Sequence, residues 1–232
     1  MITPAIYDWP SGIVPAGMLF HAGGQATGGG LTVAGVLVQN PEPGGRAALD
    51  MAFNYVKLGY QRRLASWLMS KASNGSVFRV RLANSLQLVP LADLGLSLPS
   101  DYQTIGVPWD GDLYWDSDLG WQYDVGALAT AVALEGTSTL VIDMSAYALG
   151  LYEGHVIGHQ DRAYMVDAIA YAGSIATITV SPPLRVDVAI GDYITFRPRM
   201  MGTVQDPAGL RSLVDSADNL RLGSITVIEA LI

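Results

Sequence analysis

The sequence predicts a mainly β protein with one strong helix and, towards its C-terminus, a small β-barrel or sandwich. Three observations carry that expectation. Twenty-six glycines and twelve prolines interrupt the apolar runs of this 232-residue chain, which suits short strands and many turns better than a helical bundle. After Gly126 come six short segments rich in Val, Ile, Thr and aromatic residues, spaced by turns. Only one stretch has a clear helical period.

In chain order, "LTVAGVLVQ" (Leu31 to Gln39) is the first strand candidate, and "PEPGG" at 41 to 45 ends it. "MAFNYVKL" (Met51 to Leu58) reads as a second strand. In "GYQRRLASWLMSKASNG", Tyr60, Leu64, Trp67 and Leu68 fall at helical offsets, predicting a helix over about 59 to 73. Asn74-Gly75 stops it, because glycine readily adopts the left-handed conformation that ends helices. "SVFRVRL" then alternates, with Phe78, Val80 and Leu82 on one face and Arg79 and Arg81 on the other: a half-buried strand. Residues 90 to 100 form a linker broken by leucine and proline. The six later candidates are "STLVIDM", "GHVIGH", "RAYMVDAIA", "SIATITV", "DYITFRP" and "SITVIEALI". Gly173-Ser174 and Gly191-Asp192 mark turns, and Pro182-Pro183 marks a strand end, since proline donates no ladder hydrogen bond.

The composition bounds the function. With no cysteine, the chain has no disulfide framework, thiolate metal site or thiol nucleophile. No apolar run reaches the roughly 18 to 20 residues that cross a bilayer, and "MITPAIYDWPSG" lacks the pattern of an export signal. A net charge of −8 argues against a broad nucleic-acid-binding face. The charge is also sorted. Met51 to Ala92 holds six basic residues and no acid, whereas Leu82 to Asp161 holds eleven acids and no base. Two solvated faces within one fold would explain this. So would a basic face of one copy meeting the acidic face of the next, a head-to-tail contact that can close into a ring.

Candidates for chemistry are few. His155 and His159 lie four apart in "HVIGH", about 13 Å along a strand, too far for one metal ion unless Gly158 bends the chain. Hydrogen-bonded barrel histidines are the better reading, and a zinc-dependent hydrolase the weaker one. "GGQATGGG" has neither the Lys-Ser/Thr ending of a P-loop nor the dinucleotide fingerprint. "GVPWDGDLYWDSDLGWQYD" (106 to 124) spaces Trp109, Trp115 and Trp121 by six among five aspartates, with no Lys or Arg. Such a stripe could stack on sugars, anchor in a neighbouring chain, or pack within its own fold, because indoles are favoured where one end is buried and the other wet.

Three stretches together resemble minor tail proteins of tailed bacteriophages, of the distal tail type. "FNYVKLGYQRRLASWLMSKASNGSVFRVRL" is similar to their N-terminal strand–helix–strand, and "GVPWDGDLYWDSDLGW" to a Trp- and Gly-rich middle segment. "GHVIGHQDRAYMVDAIAYAGSIATITVSPPLRVDVAIGDYITFRPRMMG" is similar to their closing β region. The resemblance implies a structural, non-enzymatic virion protein without cofactor or metal. It implies an N-terminal β-sandwich that makes a ring, commonly of six copies, between tail tube and tail tip or baseplate, and an outer C-terminal domain.

The resulting expectation divides the chain into a ring-forming unit at 1 to 100, a Trp/Asp-rich segment at 101 to 126 and a barrel or sandwich at 127 to 232. Expected partners are further copies of the chain, the tail tube protein and tail-tip or hub proteins, with DNA only in transit through an acidic lumen and no membrane anchor. Trp109, Trp115 and Trp121, with Arg62, Arg63, Arg79 and Arg81, are the candidate interface residues. The rival expectation is a carbohydrate-binding module of the tail that touches host-surface glycans.

Overall fold

The computed structural model describes residues 4–23, 26–27, 40–41, 45–53, 55–56, 59–96, 125–148, 150–207, 220–221 and 224–231. Their strands are β1 (Ile6–Asp8), β2 (Gly17–His21), β3 (Ala26–Thr27), β4 (Asn40–Pro41), β5 (Ala48–Ala52), β6 (Tyr55–Val56), β7 (Val77–Arg81) and β8 (Gly126–Ala129). Then follow β9 (Thr139–Asp143), β10 (Val156–His159), β11 (Arg162–Ala172), β12 (Ile175–Ser181), β13 (Tyr193–Thr195), β14 (Arg199–Val204), β15 (Leu220–Arg221) and β16 (Ser224–Glu229). The helix α1 (Gly59–Ser73) lies between β6 and β7.

The fold is mainly β, as expected. Six strands form one sheet in the order β1-β7-β14-β16-β5-β2, parallel only between β1 and β7. Six others close an antiparallel barrel in the order β10-β11-β12-β9-β8-β13. The pairs β15-β6 and β3-β4 are short ribbons.

One face of the sheet makes the first core. Phe78 and Val80 from β7, Met200 from β14, Val227 from β16, Leu49 and Met51 from β5 and Phe20 from β2 are all buried there. The helix covers this face with Ala65, Leu68 and Ala72. Trp67 meets Tyr7 and Phe78 edge-on, with ring centroids 5.4 and 6.4 Å apart, the geometry preferred by aromatic quadrupoles. The sequence stripe therefore marked the helix correctly but not its centre: Tyr60 is exposed, and the buried line runs one residue round, through the alanines.

The barrel closes on a second core that includes Leu140, Ile142, Tyr164, Ile178 and Phe196. Every residue of β10 is buried. Its Ile157 points into the barrel core while Val156 joins the core of the sheet. Gly158 permits this contact, because a Cβ there would lie 2.9 Å from Cβ of Pro198.

Of the strands described before residue 100, β1, β2, β5 and β7 lie in the helix-covered sheet, while β3 pairs with β4 and β6 with β15. The expected unit at 127 to 232 is divided: β14 and β16 leave the barrel and fill the centre of the first sheet, so the barrel is an insertion between β7 and β14. Alternation of apolar residues identifies a strand and its buried face, but it does not name the pairing partner. The sixth barrel strand is β8, whose "GALA" lacks the branched residues that signal a strand.

Candidate functional site

The face of the sheet opposite α1 carries the charge. Side chains alternate along β7, so burying Phe78 and Val80 turns Arg79 and Arg81 outward. β14 pairs antiparallel with β7, and its first residue, Arg199, stands directly opposite Arg81. Residues opposite each other on neighbouring strands project from the same face, so the two guanidinium groups share one patch. On the other side of β7, Asp8 pairs in register with Arg79.

The barrel comes up against this patch. The turn between β10 and β11 is the two-residue Gln160–Asp161, both in the left-handed region at φ 47° and 59°. Two consecutive positive-φ residues make the tight hairpin whose twist matches its strands, although neither is the usual Asn or Gly. That turn delivers the Asp161 carboxylate to the Arg79 Nε at 3.0 Å, and Asp8 lies 3.8 Å from Arg79 Nη1. Arg79 is thus neutralised within the chain. Arg197, just beyond β13, donates from Nη1 to the carbonyls of Val89 and Phe196 at 2.9 and 3.0 Å. Among the described residues no carboxylate lies within ion-pair distance of Arg81 or Arg199, both of which are exposed.

These residues line a two-lobed cleft. One lobe, about 830 Å³, runs between β7 and the segment Trp9 to Pro15; the other, about 300 Å³, opens onto the barrel at His159, Asp161 and Tyr193. Arg81, Arg197 and Arg199 border both. Both volumes fall in the range of small-molecule sites.

Behind the cleft a buried ionic cluster fixes sheet to barrel. Glu229 of β16, 2 % exposed, accepts from Arg185 Nη2 at 3.2 Å and from the Ala47 N–H at 3.2 Å. Arg162 of β11 lies 3.7 Å from its other oxygen and donates to the Ala230 carbonyl at 2.5 Å. The Tyr164 hydroxyl accepts the Arg185 N–H, and burial pushes its pKa up to about 12.

The two histidines serve different carboxylates. His155 Nε2 lies 3.5 Å from Asp93, and its Nδ1 accepts the Tyr152 N–H at 3.1 Å. His159 Nε2 lies 3.2 Å from Asp192, while its buried Nδ1 has no hydrogen-bond partner among the described residues. Burial holds both rings below the ordinary histidine range, with Asp93 and Asp192 opposing the shift in part. The third histidine, His21, meets Asp50 at 2.9 Å across β2 and β5.

Of the residues singled out from the sequence, Arg79 and Arg81 come together in the cleft. Arg62 and Arg63 lie apart on α1, where Arg63 is exposed and the Nε of Arg62 is buried without a partner among the described residues. Trp109, Trp115 and Trp121 lie outside the described residues. Sequence reasoning missed Arg197, Arg199 and His159 as neighbours of Arg81; the "RPR" after the β13 candidate was the available signal. Comparison with protein-family models and with curated proteins finds no match for the chain.

Proposed function

We propose that the chain is a structural, non-enzymatic virion protein of a phage tail, forming a ring of six copies that joins the tail tube to the tail tip or baseplate. The observation that supports it best is the placement of the stretches that carry the resemblance. The strand–helix–strand stretch that resembles distal tail proteins becomes α1 and β7 on the sheet, and the stretch that resembles their closing region supplies most of the barrel. A ring wall with a projecting domain needs a joint that does not hinge. The buried Glu229 cluster supplies one, since charges removed from water hold their partners in fixed geometry.

On this reading further copies, the tail tube protein and tail-tip proteins are the partners, and the acidic chain lets DNA pass without adhering. Labelling the protein in intact particles by antibody and electron microscopy tests it. Signal confined to the junction of tube and tip is the expected result, and label absent from tails would end the proposal. A glycan array on the isolated chain tests the rival module: strong, specific glycan binding with normal tail assembly after loss of the tryptophans would favour that rival.

A further inference from the structure

The geometry points to an oxyanion-binding site in the cleft between sheet and barrel, taking a phosphomonoester group carried on a small apolar body. The site does not depend on the tail reading. Two features point to it. Arg81 and Arg199 face each other directly across β7 and β14, a like-charge pairing that destabilises a sheet unless an anion lies between. Among the described residues the cleft is lined by the guanidinium groups of Arg79, Arg81, Arg197 and Arg199 and by the carboxylates of Asp8 and Asp161, both of which pair with Arg79. Arg81 and Arg199, with no carboxylate at ion-pair distance among the described residues, match the charge of −1.5 to −2 that a phosphomonoester carries near neutral pH.

Division of labour follows from what each arginine already does. Arg79 is bound to Asp161, and Arg197 is tied to backbone carbonyls, so these two form fixed walls. Arg81 and Arg199 are the groups available to grip a ligand. Two guanidinium forks can each make paired N–H···O bonds to a phosphate, with a planarity that lysine lacks. The larger lobe continues from them along Trp9, Ile13, Val14, Pro15 and Leu88. Val14 is 61 % exposed there, an apolar surface that a ligand body would cover. The indole N–H of Trp9 is already given to the Ile13 carbonyl at 2.8 Å, leaving the ring to act as an apolar wall.

Calorimetric titration of the full-length protein in low-salt, phosphate-free buffer tests the site, with inorganic phosphate, phenyl phosphate and succinate as probes. Saturable one-site binding of both phosphates is expected, with phenyl phosphate about tenfold tighter because its ring removes apolar surface from water. Arg81→Gln and Arg199→Gln should each weaken phosphate at least about tenfold. The double variant should bind none. Because those substitutions relieve like-charge repulsion, neither should lower the unfolding temperature in the absence of ligand, which separates lost binding from lost fold. No saturable phosphate binding, or binding unchanged in the double variant, would overturn the proposal. Succinate binding more tightly than phenyl phosphate would overturn it in favour of a dicarboxylate site.

Discussion

Glu229 shows what single residues decide here. Its carboxylate is buried on a strand of the sheet, yet its guanidinium partners, Arg162 and Arg185, belong to the barrel segment. Removing the charge leaves those two cations in a dry environment, a loss that costs about 3–5 kcal/mol when a buried pair is broken from one side. Glu229→Gln is expected to fall near the lower end of that range, because the amide oxygen still accepts one hydrogen bond, and urea unfolding would measure it. His155 and His159 act through protonation instead. Burial lowers both in the folded state, so below the ordinary histidine pKa of about 6.5 the unfolded chain binds more protons than the folded one. The stability they contribute is complete above about pH 6.5 and is lost as the pH falls through their depressed folded values. The urea midpoint should therefore drop between about pH 7.5 and pH 5.5, and a His155→Gln/His159→Gln variant should show a smaller drop.

Among the elements, α1 was the most legible in the sequence. Its limits, its stop at Asn74-Gly75 and the inward side of β7 all followed from periodicity and turn chemistry. What periodicity could not weigh was side-chain size at the contact. The helix approaches the sheet through Ala65, Leu68 and Ala72, while the larger Tyr60 stays outside. Leu68→Ala should cost about 2–5 kcal/mol by leaving a cavity, whereas Tyr60→Ser should change stability by less than about 1 kcal/mol; thermal unfolding of the pair distinguishes them. The barrel was legible strand by strand from β9 to β13, and illegible at β8, where alanines fill a strand held by its neighbours rather than by its own propensity. Half of the cleft was legible for the same reason. Arg79 and Arg81 announced an outward-facing stripe, but their meeting with Arg199 and His159 is set by the pairing of β14 with β7 and by the turn at Gln160–Asp161, long-range events without a local pattern.

At the scale of the whole molecule, the chain leaves the sheet after β7, builds the barrel and returns to fill the sheet's centre with β14 and β16. Sheet and barrel are thereby tied at two crossings as well as through the Glu229 cluster, and a truncation after the barrel would remove two central strands of the first unit. Deleting residues 199–232 is expected to abolish cooperative unfolding of the sheet rather than to release a folded N-terminal domain; amide hydrogen exchange would show it. Replacing Trp109, Trp115 and Trp121 together by Ala should leave a folded subunit that assembles poorly into tails, read out as subunit incorporation. The central claim, that copies of this chain bind one another to build a ring, is tested most directly by the mass of the particle they form. Native mass spectrometry of complexes released from tails should give a species of six chains, each of 24.6 kDa. A single 24.6 kDa chain, released with no other copy attached, would contradict it.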